Sequence, residues 1–138
     1  MKRILVATLV AAALTGCMMF KRPPSEPKAY DPTQLSAAQT YRATFTPAES
    51  IKVGKLHRWN VTLTDANGAP IDSARITVDG GMPQHGHGLP TKPIVTDHLG
   101  GGQHVIDGMK FNMGGWWVVR LAIEGSKGSD TVTFNLKL

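Results

Sequence analysis

The sequence predicts an all-β domain built as a two-sheet sandwich, and three observations carry that expectation. Apolar and polar residues alternate at period two in several separate stretches, the mark of strands with one buried face. Clusters of Gly, Asn, Asp, Pro and Ser divide those stretches at short intervals. No part of the chain beyond its first residues sustains the apolar spacing of an amphipathic helix.

The N-terminal residues are of a different kind. Lys2 and Arg3 open the chain, Ile4 to Leu14 is apolar, and Thr15-Gly16 are small residues of the type a signal peptidase accepts. The apolar run is shorter than the roughly 20 residues that cross a bilayer. Leu14-Thr15-Gly16-Cys17 resembles the lipobox of bacterial lipoproteins. That resemblance implies removal of residues 1–16, lipidation of Cys17 and anchoring of the mature chain in a membrane of the bacterial envelope. Met18, rather than an aspartate, follows the cysteine and implies the outer membrane, with the domain facing the periplasm. Cys17 is the only cysteine in the chain, so lipidation also accounts for a thiol with no disulfide partner.

Residues 17–38 are expected to form a tether. Lys21, Arg22, Pro23, Pro24, Pro27 and Pro32 stand among polar residues, a composition that cannot bury a core. Residues 39–138 are enough for one domain without disulfides. The formal charge of the 138-residue chain is +5, and loss of Lys2 and Arg3 with the leader lowers it by two. The remaining basic residues form no stripe interleaved with stacking aromatics, so no nucleic-acid partner is expected.

In chain order, Tyr41 to Thr46 is the first candidate strand. Leu56 to Thr64 follows, with Trp59, Val61 and Leu63 alternating against Arg58, Asn60 and Thr62. Asp65-Ala66-Asn67-Gly68 breaks it with a tight-turn pair. Ile71 to Val78 resumes with Ala74, Ile76 and Val78 on one face. Pro93 to Asp97 and His104 to Ile106 are weaker candidates. Trp117, Val119, Leu121 and Ile123 mark a strong strand, and Val132, Phe134, Leu136 and Leu138 mark the last. About seven strands with turns between them is the pattern of an immunoglobulin-like β-sandwich. Trp59 and Trp117 fall on inward positions, whereas Trp116 falls on the outward face by parity and is the candidate contact for a protein or small-ligand partner.

Candidate ligands concentrate in Gly80 to Pro90. His85 and His87 lie two residues apart, on one side of an extended backbone, with glycines beside them and Met82 nearby. Met109 and Met113 stand in a second glycine-rich stretch, Gly108 to Gly115, which is expected to be a connection at the same end of the sandwich. Imidazole suits copper and zinc, and thioether sulfur selects Cu(I). The same residues also serve as core filler or as hydrogen-bonding scaffold. A zinc site of His85, His87 and a third ligand such as His98 or Asp97 is the enzymatic alternative, although it has no clear general base. His57, His98 and His104 are otherwise expected at the surface or rim.

The segments Trp59 to Val78, Met82 to Thr91 and Gly108 to Trp117, in that order, resemble YtkA-like domains, small exported β-sandwich modules related to FixH-like proteins of bacterial envelopes. The FixH-like relatives are associated with copper supply to respiratory oxidases, so the resemblance implies a copper-related role. A blue-copper centre needs a cysteine thiolate and is excluded, because no cysteine follows Cys17. No nucleophile elbow, phosphate-cradling loop or His-Glu-x-x-His helix is present, and no enzymatic activity is expected. The expectation is a lipid-anchored copper-binding module. A metal-free module that holds an envelope protein or small ligand through the same loops is the alternative.

Overall fold

A computed structural model describes residues 29–138. The leader, Cys17 and the tether as far as Lys28 lie outside the described residues. The described residues form nine strands: β1 (Thr33–Leu35), β2 (Tyr41–Pro47), β3 (Leu56–Asp65), β4 (Arg75–Met82), β5 (His87–Gly88), β6 (Ile94–Gly100), β7 (Gln103–Lys110), β8 (Trp116–Gly125) and β9 (Gly128–Lys137). They form two antiparallel sheets, one ordered β1-β2-β3-β7-β6 and the other β5-β4-β8-β9. The sandwich is as expected, and the two strands beyond the seven read from sequence are the shortest. β1 lies inside the segment read as tether, where Thr33 to Leu35 pair with Thr44 to Arg42 of β2, so the fold reaches back past Gln39. β5 has only two residues.

Alternation fixes the core. On β3 the burial pattern is strictly alternating, with Trp59, Val61 and Leu63 inward, and β8 and β9 answer with Trp117, Val119, Leu121, Val132, Phe134 and Leu136. Phe45 stacks on Trp59 with ring centres 4.3 Å apart and meets Phe134 of the opposite sheet at 5.1 Å. Trp59 then meets Phe111 edge-on at 6.2 Å, and Phe111 meets Trp117 at 5.2 Å. Both tryptophans are therefore in the core, as their parity predicts.

Side chains tie the connections down. Asp65 Oδ1 accepts from Asn67 N and Ala69 N, which builds the expected turn at Asn67-Gly68. The buried Tyr41 hydroxyl donates to Gly128 O at 2.7 Å and so joins β2 to the β8–β9 hairpin of the other sheet. Asp130 accepts from Ala38 N and Thr40 N, pinning the approach to β2. Burial acts to raise the Asp130 carboxyl. The bonds donated by the Ser36 side chain and by the Thr131 and Ala38 backbone outweigh it, and hold the group well below the usual carboxylate range.

The structure corrects several expectations. Ile71 to Ala74 is not strand. Ile71 N bonds Leu63 O, and the chain turns before β4 begins at Arg75. Gly108 to Lys110 is not a connection but the end of β7, where Met109 pairs with His57 in the inward register. His57 and His104 are buried, not at the rim, because both take inward positions on strands. His57 Nε2 lies 2.8 Å from Lys52 O, while its Nδ1 has no partner among the described residues. Trp116 is outward by parity yet only 4% exposed, because its ring leans across β9 and Nε1 donates to Asn135 Oδ1 at 2.9 Å. It is no exposed contact.

Two substitutions test this core. Trp117→Ala empties a fully buried aromatic site and should cost about 3–5 kcal/mol, measured by chemical denaturation. Gly102 has φ +77° and accepts from Leu63 N, and a Cβ there would stand 2.2 Å from Leu63 O. Gly102→Ala should therefore displace the β6–β7 turn and lower stability by at least about 2 kcal/mol, measured by chemical denaturation.

Candidate functional site

The histidine-rich loop leaves β4 at one end of the sandwich. Met82 O accepts from both His85 N and Gly86 N at 3.0 Å, so the chain reverses tightly and returns as β5. β5 pairs Gly81 with Gly88 and Met82 with His87. This return needs glycine at position 81, where a Cβ would stand 2.3 Å from His87 O. Directly paired residues project to one face of a sheet. His87 therefore projects on the same side as buried Met82, and its ring meets the edge of Trp117 at 5.6 Å. Trp117 is fixed in turn by Nε1 donating to Met113 O at 3.0 Å.

His85 and His87 are both exposed, with ring centres 6.0 Å apart and planes 35° apart. A metal about 2 Å from each ring nitrogen would hold two imidazole centres about 5–6 Å apart, so the spacing suits one shared ion. His87 Nδ1 lies 3.1 Å from Gly88 O, and among the described residues Nε2 has no hydrogen-bond partner. A shallow groove of about 280 Å³ runs beside the loop between Met82, His87, Val118 and Arg120.

The three methionines read as sulfur donors have different places. Register brings Met82 to His87, although its side chain belongs to the core and its Cε fills the space a Cβ on Gly115 would need. Met109 is fully buried opposite His57. Met113 is half-buried against the core and joins the site through Trp117. His98 and Asp97 do not complete a zinc site with the loop histidines: among the described residues no group of three or more His, Cys, Asp or Glu side chains could hold an ion.

His98 instead faces His104. Their Nδ1 atoms are 2.8 Å apart and their rings nearly perpendicular, with centres 4.9 Å apart. That separation is close to the nitrogen distance plus a ring radius at each side, so the two nitrogens meet head-on rather than converge on a third point. His104 Nε2 lies 3.0 Å from Ile71 O and must donate to it. His104 Nδ1 is then the acceptor, and His98 Nδ1 the donor. Reading residues singly missed this pair. The signal was available, since His98 and His104 stand equally far from Gly101 and a hairpin turning there makes them cross-strand partners.

The fold and the loop define a small β-sandwich module with a solvent-facing histidine pair set on its aromatic core. A family model described as YtkA-like matches residues 35–122, most of the chain, and the chain belongs to the YtkA-like family. No curated protein matches it.

Burial pushes the His104 pKa below its ordinary value of about 6.5, and the neighbouring His98 adds to this; the bond to Ile71 O and the charge of Asp72 oppose it. A depressed histidine pKa means that the unfolded chain binds the proton more readily. The stability contribution is whole above about pH 6.5 and falls as pH drops towards the folded value. Denaturation midpoints should decline across that window in the wild type, and less steeply in His104→Gln.

Proposed function

We propose that this protein is an envelope module that binds a single copper ion through His85 and His87, and that Cys17 anchors it to the membrane by lipid. The observation that carries the metal reading is the spacing of two exposed imidazoles, 6.0 Å between ring centres, on a loop whose return is fixed by Gly81. His87 Nε2 is the atom left free by its backbone contact. His85 is the second nitrogen donor. Met82, the register partner of His87, is the thioether we assign as their companion, and it would favour Cu(I) over zinc. Family membership and the lipobox-like Leu14-Thr15-Gly16-Cys17 support an exported location.

The chemistry implied is holding and passing an ion, not turning over a substrate. Two imidazoles leave coordination positions open to solvent or to a partner's ligands, as a carrier requires. Trp117, edge-on to His87, is placed to report on occupancy.

Titration of the full chain with Cu(I) against a competing chelator should give one bound ion and reduced tryptophan emission. The double variant His85→Ala, His87→Ala should lose binding by at least about a hundredfold, whereas Met109→Leu should retain it. Met82→Leu should weaken Cu(I) more than Zn(II). Binding should also weaken in acid, because a protonated imidazole cannot coordinate. Wild-type affinity in the double variant would end the copper reading. For the anchor, intact mass of the mature chain should show an acylated Cys17, and an unmodified thiol would refute it.

A further inference from the structure

Among the described residues, β4 has an open side that the histidine loop does not close. β5 covers it only at Gly81 and Met82, and Leu89 N donates to Gly80 O one step further. Peptide groups of alternate residues face the same side of a strand. The direction of Gly80 O therefore sets the N–H and C=O groups of Val78 and Ile76 towards the same open side, beyond the reach of β5. A cleft of about 750 Å³ lies along Asp72 to Thr77 and gives room for an added strand. β6, the edge of the other sheet, breaks register twice, a device that discourages pairing. The pairing of β4 with β8 is unbroken over Arg75 to Gly81, so its edge is regular.

We propose that β4 pairs with β4 of a second copy of this chain, antiparallel and centred on Thr77, joining two four-stranded sheets into one. The segment Arg75-Ile76-Thr77-Val78-Asp79 is complementary to itself about its middle residue. Two-fold pairing sets Arg75 opposite Asp79 of the partner subunit, and Ile76 opposite Val78 of the partner subunit. The two Thr77 residues meet on the axis. Opposite charges and β-branched side chains directly across an antiparallel pair are the favourable combinations. On the outer face Arg75 already stands opposite Glu124, and Asp79 opposite Arg120, across β8. The junction thus continues a row of alternating sign from Glu124 and Arg75 to Asp79 of the partner subunit and Arg120 of the partner subunit. Ile94, 63% exposed on the far wall of the cleft, is covered by the arriving strand. A foreign peptide would find the same backbone groups but not this charge match, which singles out a second copy as the occupant.

Sedimentation of the full chain should show a reversible dimer. Arg75→Glu alone sets Glu against Asp79 of the partner subunit, and Asp79→Lys alone sets Lys against Arg75 of the partner subunit. Each should weaken self-association by about tenfold, since like charges replace both favourable pairs. Mixing the two variants restores opposite charges at both pairs and should recover the dimer. Thr77→Cys gives an independent reading that does not need those variants to fold. In a two-fold junction its Cα atoms stand about 4.5 Å apart, within disulfide range. Oxidation should then cross-link it much faster than Thr62→Cys, on the exposed face of the other sheet, or the chain with Cys17 alone. A wild type monomeric at every concentration, a mixture of folded variants that does not regain the dimer, or Thr77→Cys linking no faster than Thr62→Cys overturns the proposal.

Discussion

The contact between Phe45 and Trp59, face to face at 4.3 Å, is the centre on which the rest of the molecule is arranged. From it one line of rings runs across the sandwich to Phe134, and another runs by way of Phe111 to Trp117 and out to His87. Each large ring fills space between sheets about 10 Å apart, so the inward parity of β2, β3, β8 and β9 is fixed together. A register slip of one residue in β2, β3 or β9 would exchange a ring for a polar neighbour. The loop histidines inherit their position from this packing, because His87 is seated against the last ring of the line.

A core of this kind leaves the connections to be fixed by polar bonds, and the chain spends few residues on them. The Tyr41 hydroxyl, the Asp65 and Asp130 carboxylates and the His104 imidazole each reach from a strand to backbone groups of a connection or neighbouring segment. Exposed ion pairs such as Arg58 with Asp107 add little beside these, since solvent screens them. The polar bonds matter most where they cross between layers. His104 holds Ile71 on the path from one sheet to the other, while Tyr41 holds the β8–β9 hairpin of the opposite sheet.

Strands with two-residue alternation were legible in the sequence because period two survives in composition: Trp59-x-Val61-x-Leu63 and Trp117-x-Val119-x-Leu121 leave little choice of face. β1 and β5 were not, being too short to show a period and dependent on partners already in place. The β7 end was misread because Gly108 suggested a turn, whereas Met109 keeps an inward register across a shift between His57 and Trp59. At the site, His85 and His87 are near one another as their separation of two residues requires, but the extended backbone expected between them is a tight turn with Gly86 at φ +67°. The seating of Met109 in the core could not be read, since a thioether looks the same in a loop or in a strand. His98 with His104 was readable only as a hairpin, never as separate residues.

The edge-on seat of His87 against Trp117 has a consequence for any ligand the loop receives. A loop tip of Pro83 to Gly86 standing free would lose conformational entropy on binding, at about 1–2 kcal/mol for each residue fixed. Here the backbone return at Gly81 and the aromatic seat have already restricted one of the two imidazoles before a ligand arrives. That ordering cost is met during folding, so for a ligand taken by this loop stability and affinity would be linked. A change that loosens the ring line at Phe111 would free the His87 seat without touching either histidine, and the ordering cost would then fall on the binding of such a ligand.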